Sequence, residues 1–127
     1  MDKAEELKQW LDLAQQNLGV AKFLAEKYHP TPIETICNNC QQSVEKDLKA
    51  YLFQNNVEFP FTHDLSELLA MCMDINSDFV KFAKQCTYLT KFGVMPRYPN
   101  ELQLNNDDAT SAVRFAEEIK EFVKKNI

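Results

Sequence analysis

Apolar residues recur at helical spacing along almost the whole chain, and no segment of four to eight residues alternates cleanly between apolar and polar side chains. A half-buried strand needs that alternation. Only two of the 127 residues are glycine, and sandwiches and barrels built from many short strands rely on glycine-rich turns. The expected fold is therefore all-α: an up-and-down four-helix bundle with one extra short helix. At 127 residues and 45% apolar composition, the chain has enough for one hydrophobic core and too little for two. Residues 1–127 are thus expected to form a single domain, with no repeat or linker.

The spacing predicts a first helix over residues 2–28, with Leu7, Trp10, Leu11, Ala14, Leu18, Ala21, Ala25 and Tyr28 on its core face. Pro30 and Pro32 end it, since proline lacks the N–H a helix needs. A second stripe of Leu13, Val20, Phe23 and Leu24 lies off that face. One face suffices for one core, so the second stripe points to a partner subunit and a homodimer. A second helix spans 33–55, stopped by Asn55-Asn56, with Ile33, Cys37, Cys40, Val44, Leu48, Tyr51 and Leu52 inward. The segment Val57-Glu58-Phe59-Pro60-Phe61 reads as a loop whose aromatic pair plugs a gap. Thr62 is expected to cap a short helix over 63–73. A further helix runs from Phe79 through Leu89 to a terminating Gly93. The last helix starts near Asp107-Asp108 and buries Ala109, Ala112, Val113, Ala116, Ile119 and Val123.

Charge narrows the function classes. The chain carries 14 basic and 19 acidic residues, a formal charge of −5. Its only arginines are Arg97 and Arg114. Broad electrostatic coating of a nucleic acid is excluded by that balance, so any phosphate contact must be local. No run approaches 18 consecutive apolar residues, and the N-terminal residues are charged where a secretory leader would be apolar. A cytoplasmic protein without membrane association is expected, with its four cysteines reduced. Cys37-Asn38-Asn39-Cys40 has no second pair or suitably spaced histidine, so no metal site and no cofactor are expected. Its two thiols read as small core residues one turn apart.

Three polar constellations remain. Gln42, Glu45, Lys46 and Lys49 fall at i, i+3, i+4 and i+7, a stripe two turns long opposite the core face. It is either a solvated face or a site where a lysine meets a phosphate while Gln42 and Glu45 bond a base or ribose. Thr62-His63-Asp64-Leu65 opens the short helix, whose N-terminal N–H groups favour an anion and whose imidazole can act as acid or base. Alternatively, Thr62 and Asp64 only cap and His63 bonds the bundle. Pro96-Arg97-Tyr98-Pro99 carries a guanidinium suited to phosphate and a phenol suited to stacking on a base. Its structural alternative is an arginine that ties the loop to helix carbonyls or to Asp64.

In this order, Gln41-Gln42-x-x-Glu45-Lys46-x-x-Lys49, Thr62-His63-Asp64-Leu65 and Arg97-Tyr98-Pro99, with Trp10-Leu11 before them, resemble the HEPN domain family over about residues 7–125. The resemblance implies an all-α bundle that commonly dimerises. It also implies association with nucleotides and pairing with a minimal nucleotidyltransferase, often as a toxin–antitoxin system. The ribonuclease branch of that family uses Arg followed four to six residues later by His. Neither Arg97 nor Arg114 is so followed. The reading is therefore a non-catalytic module that binds a nucleotide or a nucleic-acid phosphate, or pairs with a nucleotidyltransferase. Its ligand-binding candidates are Gln42, Glu45, Lys46, Lys49, His63, Asp64, Arg97 and Tyr98. The alternative is a metal-independent ribonuclease of a toxin–antitoxin pair that recruits His63 and Arg97 as catalytic residues. Both require these groups to converge on one recess. A pure interaction scaffold, in which the cluster only stiffens the loop, is the third possibility.

Overall fold

The computed structural model describes residues 1–94 and 103–127, and all its regular structure among them is helical. Helix α1 spans Lys3–Lys27, α2 Ile33–Gln54, α3 Leu65–Met73, α4 Ala83–Thr90 and α5 Asn106–Asn126. A 3₁₀ turn, Ser77–Phe82, leads directly into α4. The expected single helix from Phe79 to Leu89 is therefore two pieces. Asn76 caps the first of them by accepting from the Asp78 amide at 3.0 Å.

Local chemistry sets the ends. The Asp2 carboxylate accepts from the Glu5 amide at 2.8 Å, and Glu5, Glu6 and Lys27 complement the dipole of α1. Asn56, in the left-handed region with φ 60°, stops α2. A reciprocal capping box between Asn105 and Asp108 starts α5. Gly93 does not end α4 by a left-handed turn, as the sequence suggested: neither glycine has positive φ. Its need for no side chain is steric. A Cβ there would stand 3.3 Å from both the Gln41 amide nitrogen and the Thr90 carbonyl oxygen.

Helix α2 is the centre of the bundle, packed by α1, α5, α3 and α4. It runs antiparallel to α1. The Lys3 ammonium donates to the Gln54 carbonyl (3.0 Å), and the Ser43 hydroxyl to the Ala14 carbonyl (2.8 Å). Ala109, Ala112 and Ala116 of α5 are buried, and their small side chains let α5 lie close to α2. Thirteen residues of α2 are buried, including Gln41, Ser43, Glu45, Asp47 and Lys49. A helix wrapped on every side has no solvated face, so its polar residues must find partners inside. Asp47 does so with Lys120 of α5, whose nitrogen lies 3.2 Å from each carboxylate oxygen. Only Oδ1 accepts a hydrogen bond with good geometry; Oδ2 is within ion-pair range alone.

All four cysteines are buried free thiols, and burial pushes Cys37 up to about 12. Such a thiol stays protonated and inert at neutral pH. Among the described residues no helix is long and apolar enough to cross a membrane.

Candidate functional site

The densest polar arrangement joins α2 to the residues that lead into α3. Gln41, Glu45 and Lys49 stand at i, i+4 and i+8, one above the other on α2. The Glu45 carboxylate is buried and engaged at both oxygens. Oε1 receives His63 Nδ1 at 2.8 Å and the Gln41 amide at 3.2 Å, while Oε2 receives the Lys49 ammonium at 2.9 Å. The same Gln41 nitrogen donates to the His63 backbone carbonyl at 2.9 Å. Gln42 donates to the Gln41 carbonyl oxygen at 2.8 Å. Gly93 lies against the Gln41 side chain.

Burial alone would raise the Glu45 carboxyl, but the bonds from His63, Lys49 and Gln41 and the Lys49 charge hold it below the ordinary carboxylate range. It is an anion that only accepts. His63 Nδ1 must therefore carry a proton, and Nε2 is the ring nitrogen left for another partner. The ring is half-exposed, at 52%. Lys49 cancels the Glu45 charge, so protonating His63 gives the cluster a net charge of +1. Beside it the Phe61 ring is 96% exposed, 6.0 Å from the imidazole and nearly edge-on to it. Lys49 lies 5.8 Å from the Phe61 and Phe59 centroids, within cation–π range.

Several expectations change here. The stripe Gln42, Glu45, Lys46, Lys49 is not an outward face. Glu45 and Lys49 turn inward, and Lys49 is spent on Glu45. Lys46 leaves the group altogether: its ammonium donates to Asn17 of α1 at 2.6 Å. Burial is the first cause that lowers the Lys46 ammonium, Lys49 adds to it and Glu45 opposes it. Thr62 is not the cap of α3. Asp64 is, accepting from the Ser66 amide at 2.9 Å, while the Thr62 hydroxyl accepts from the Asp64 amide at 3.1 Å. Of the aromatic pair only Phe59 fills a gap, edge-on to Trp10 at 5.8 Å; Phe61 stands in solvent. Arg97 and Tyr98 lie outside the described residues. Of the eight ligand-binding candidates, Glu45, Lys49 and His63 thus meet directly, Gln42 joins through Gln41, and Asp64 adjoins as a cap. Gln41 and Phe61 were missed. The i, i+4, i+8 row of Gln41, Glu45 and Lys49 was the signal for the first; no pattern marked the second.

The bundle itself defines a class of all-α domain, and comparison with known proteins gives the class its name. The HEPN domain model matches residues 7–126. The chain belongs to the HEPN domain family. Its fold is similar to a solved structure of TT1696 from Thermus thermophilus, at a TM-score of 0.77 and 21% identity, with 95% of this chain and 98% of that one covered. It is also similar to ST0689, described as an archaeal HEPN homologue, at a TM-score of 0.75 and 22% identity, covering 94% and 96%. A comparison with curated proteins gives no match.

Proposed function

We propose that the chain is a non-catalytic binding module that takes the phosphate of a nucleotide or nucleic-acid end at His63, with Phe61 as the platform for a base. The observation that carries this reading is the bond from His63 Nδ1 to buried Glu45. It fixes the ring before any ligand arrives, which lowers the ordering cost of binding, and the phosphate is received by the imidazolium through an Nε2 proton. The exposed Phe61 ring supports a stacked base, since every base has a π-face and such stacking is worth about 1–3 kcal/mol. Arg97 and Tyr98 complete the proposed site as phosphate and base contacts. Arg97 follows Gly93 by four residues, a length of chain that spans at most about 14 Å, and Gly93 abuts Gln41.

The same oriented imidazole is what a ribonuclease would use as its base, and it keeps that reading as the alternative, with Arg97 as the second group. Cleavage also needs a cation at the phosphorane. Lys49 is buried against Glu45 and Lys46 is bound to Asn17, so that role would fall to Arg97, and since neither arginine is followed four to six residues later by histidine, binding is favoured over cleavage. Family membership supports a minimal nucleotidyltransferase as partner, and buried, protonated thiols suit a cytoplasmic setting.

Titration of ATP, GTP and a short single-stranded RNA into the purified protein tests the proposal. At least one should bind, with affinity lost in His63→Ala and reduced about tenfold in Phe61→Ala, the equivalent of 1.4 kcal/mol. No binding of any of the three would overturn it. RNA fragmentation that disappears in His63→Ala would establish the alternative instead.

A further inference from the structure

Helix α4 and the 3₁₀ turn before it rest on α3, and both α4 and α5 rest on α2, but α4 and α5 leave a groove between them. Two cavities of about 660 and 910 Å³ adjoin there, since Lys81 and Gln85 line both. Half-buried Tyr88, Phe115 and Phe122 form the apolar floor. Along α5 the lining residues Asp108, Ser111, Phe115, Glu118, Phe122 and Lys125 are separated by three and four in alternation. On the other wall Lys81, Gln85 and Tyr88 keep the same alternation. That is the spacing of a seam that receives another helix. From the first to the last of its six residues α5 rises about 25 Å, room for a helix of about five turns.

We infer that this groove receives an amphipathic helix of another protein, apolar along one stripe and rich in Glu and Asp on the flank that lies against α4. Charge selects that occupant. On the α4 wall, among the described residues, no carboxylate lies within 4.0 Å of exposed Lys81 or Lys84. That is unusual in a chain of net charge −5. The Lys81 ammonium instead stands 4.2 Å from the Phe122 centroid and 5.4 Å from that of Phe82. The rings hold it at the lip of the groove, where a carboxylate can reach it. On the α5 wall the carboxylates already have partners. Glu117 pairs with Lys22 at 3.0 Å, and Glu118 with Arg114 and Glu121 with Lys124 at 3.9 Å each. One wall thus presents cations without counter-ions and the other presents carboxylates that repel anions. A nucleic-acid strand carries a phosphate at every nucleotide and would bring part of its charge against the α5 wall. A helix can confine its acidic residues to a single flank.

The inference stands apart from the ligand reading, since the groove shares no residue with the His63 cluster. The probe is a synthetic helical peptide of about 18 residues, with leucine along one stripe, glutamate on one flank and glutamine elsewhere. One control peptide has lysine for glutamate, and a second has glutamine for leucine. Fluorescence anisotropy of the labelled peptides against the purified protein reads binding. The glutamate peptide should bind saturably at micromolar concentration, the lysine peptide about tenfold more weakly or worse, and the peptide without leucine not at all. Lys81→Glu with Lys84→Glu should reverse the preference between the first two, with an unchanged thermal transition because both side chains are exposed. Lys8→Glu with Lys27→Glu makes the same change of net charge on α1 and should leave the wild-type preference intact. Absence of saturable binding, equal binding of the two charged peptides, or an effect of the α1 pair as large as that of the groove pair overturns the inference. A short single-stranded RNA that displaces the peptide overturns it in favour of a nucleic-acid groove. Self-association of the wild type that disappears in the groove pair overturns it in favour of a second copy as occupant.

Discussion

His63 and Glu45 show how a side chain gains a fixed role from its surroundings. An imidazole on a surface turn ordinarily samples rotamers and both tautomers; here one buried carboxylate selects a single orientation and a single tautomer. The carboxylate in turn depends on Lys49. Glu45→Ala should leave the Lys49 ammonium buried without its counter-charge and cost about 3–5 kcal/mol in denaturant unfolding. Glu45→Gln keeps the shape and should cost about 1–3 kcal/mol, while ligand affinity falls as it does in His63→Ala. Loss of stability with unchanged affinity would show that the bond to His63 has no part in binding. Gly93→Ala tests the packing behind the cluster. Its Cβ would press on the Gln41 amide and on a backbone carbonyl that cannot yield. A cost of about 1–2 kcal/mol is expected, where an unencumbered glycine would be neutral or stabilised. The sequence marked His63, Glu45 and Lys49 as chemistry-bearing, but it could not say that the lysine would be used up by the glutamate. Spacing along a helix gives neighbours; it does not say which neighbours are sealed from water.

Helix α2 is where reading by periodicity reached its limit. Amphipathic spacing assigns one face to the core and the opposite face to solvent. On α1 and α5 it finds the buried apolar residues, but it also put Ala25 and Tyr28, which are exposed, on the core face of α1, and assigned Leu24, which packs against the core, to the outer stripe. It fails for a central helix covered on every side, and Glu45, Asp47 and Lys49 went inward with their own partners. The α2–α5 ion pair leaves a measurable trace. Burial pushes the Asp47 carboxyl up to about 6 from its ordinary 3.8, against the opposing pull of Lys120 and Lys124. Between those values the folded chain holds a proton that the unfolded chain releases, so the contribution of this group to stability grows as pH falls from above 6 to below 4. Glu45, held below its ordinary value, works in the opposite sense at lower pH. The difference in unfolding free energy between the wild type and Asp47→Asn should therefore move in favour of the wild type, by about 2 kcal/mol, as pH is lowered from 7 to 4. A pH-independent difference would mean that Asp47 is not desolvated. At the other end of the bundle, Asp108→Ala removes the reciprocal cap of α5 and the acceptor of the Tyr88 hydroxyl. A loss of about 1–2 kcal/mol is expected, together with faster amide exchange in the first turn of α5.

At the scale of the whole molecule the fold was legible because two independent properties agree: helical periodicity from end to end and a scarcity of glycine. The three long helices fall within a few residues of their expected ends, since prolines and asparagines punctuate them. The short elements were less well marked, because a 3₁₀ turn and an eight-residue helix carry too few residues to establish a period. The resemblance to HEPN domains is likewise carried by the order of several weak motifs across the chain, and the match over residues 7–126 supports it. What the bundle contributes to the proposed site is rigidity. Its core helix holds a carboxylate in place, and the carboxylate holds a histidine at the surface. The chain has only two histidines, so two-bond proton–nitrogen correlation of the imidazole rings observes this arrangement directly, with His29 as an internal reference. The expected spectrum shows neutral His63 protonated at Nδ1, with its Nε2 resonance moving when the short RNA or ATP is added and His29 unmoved. His63 protonated at Nε2, or two histidines indifferent to every nucleotide offered, would contradict it.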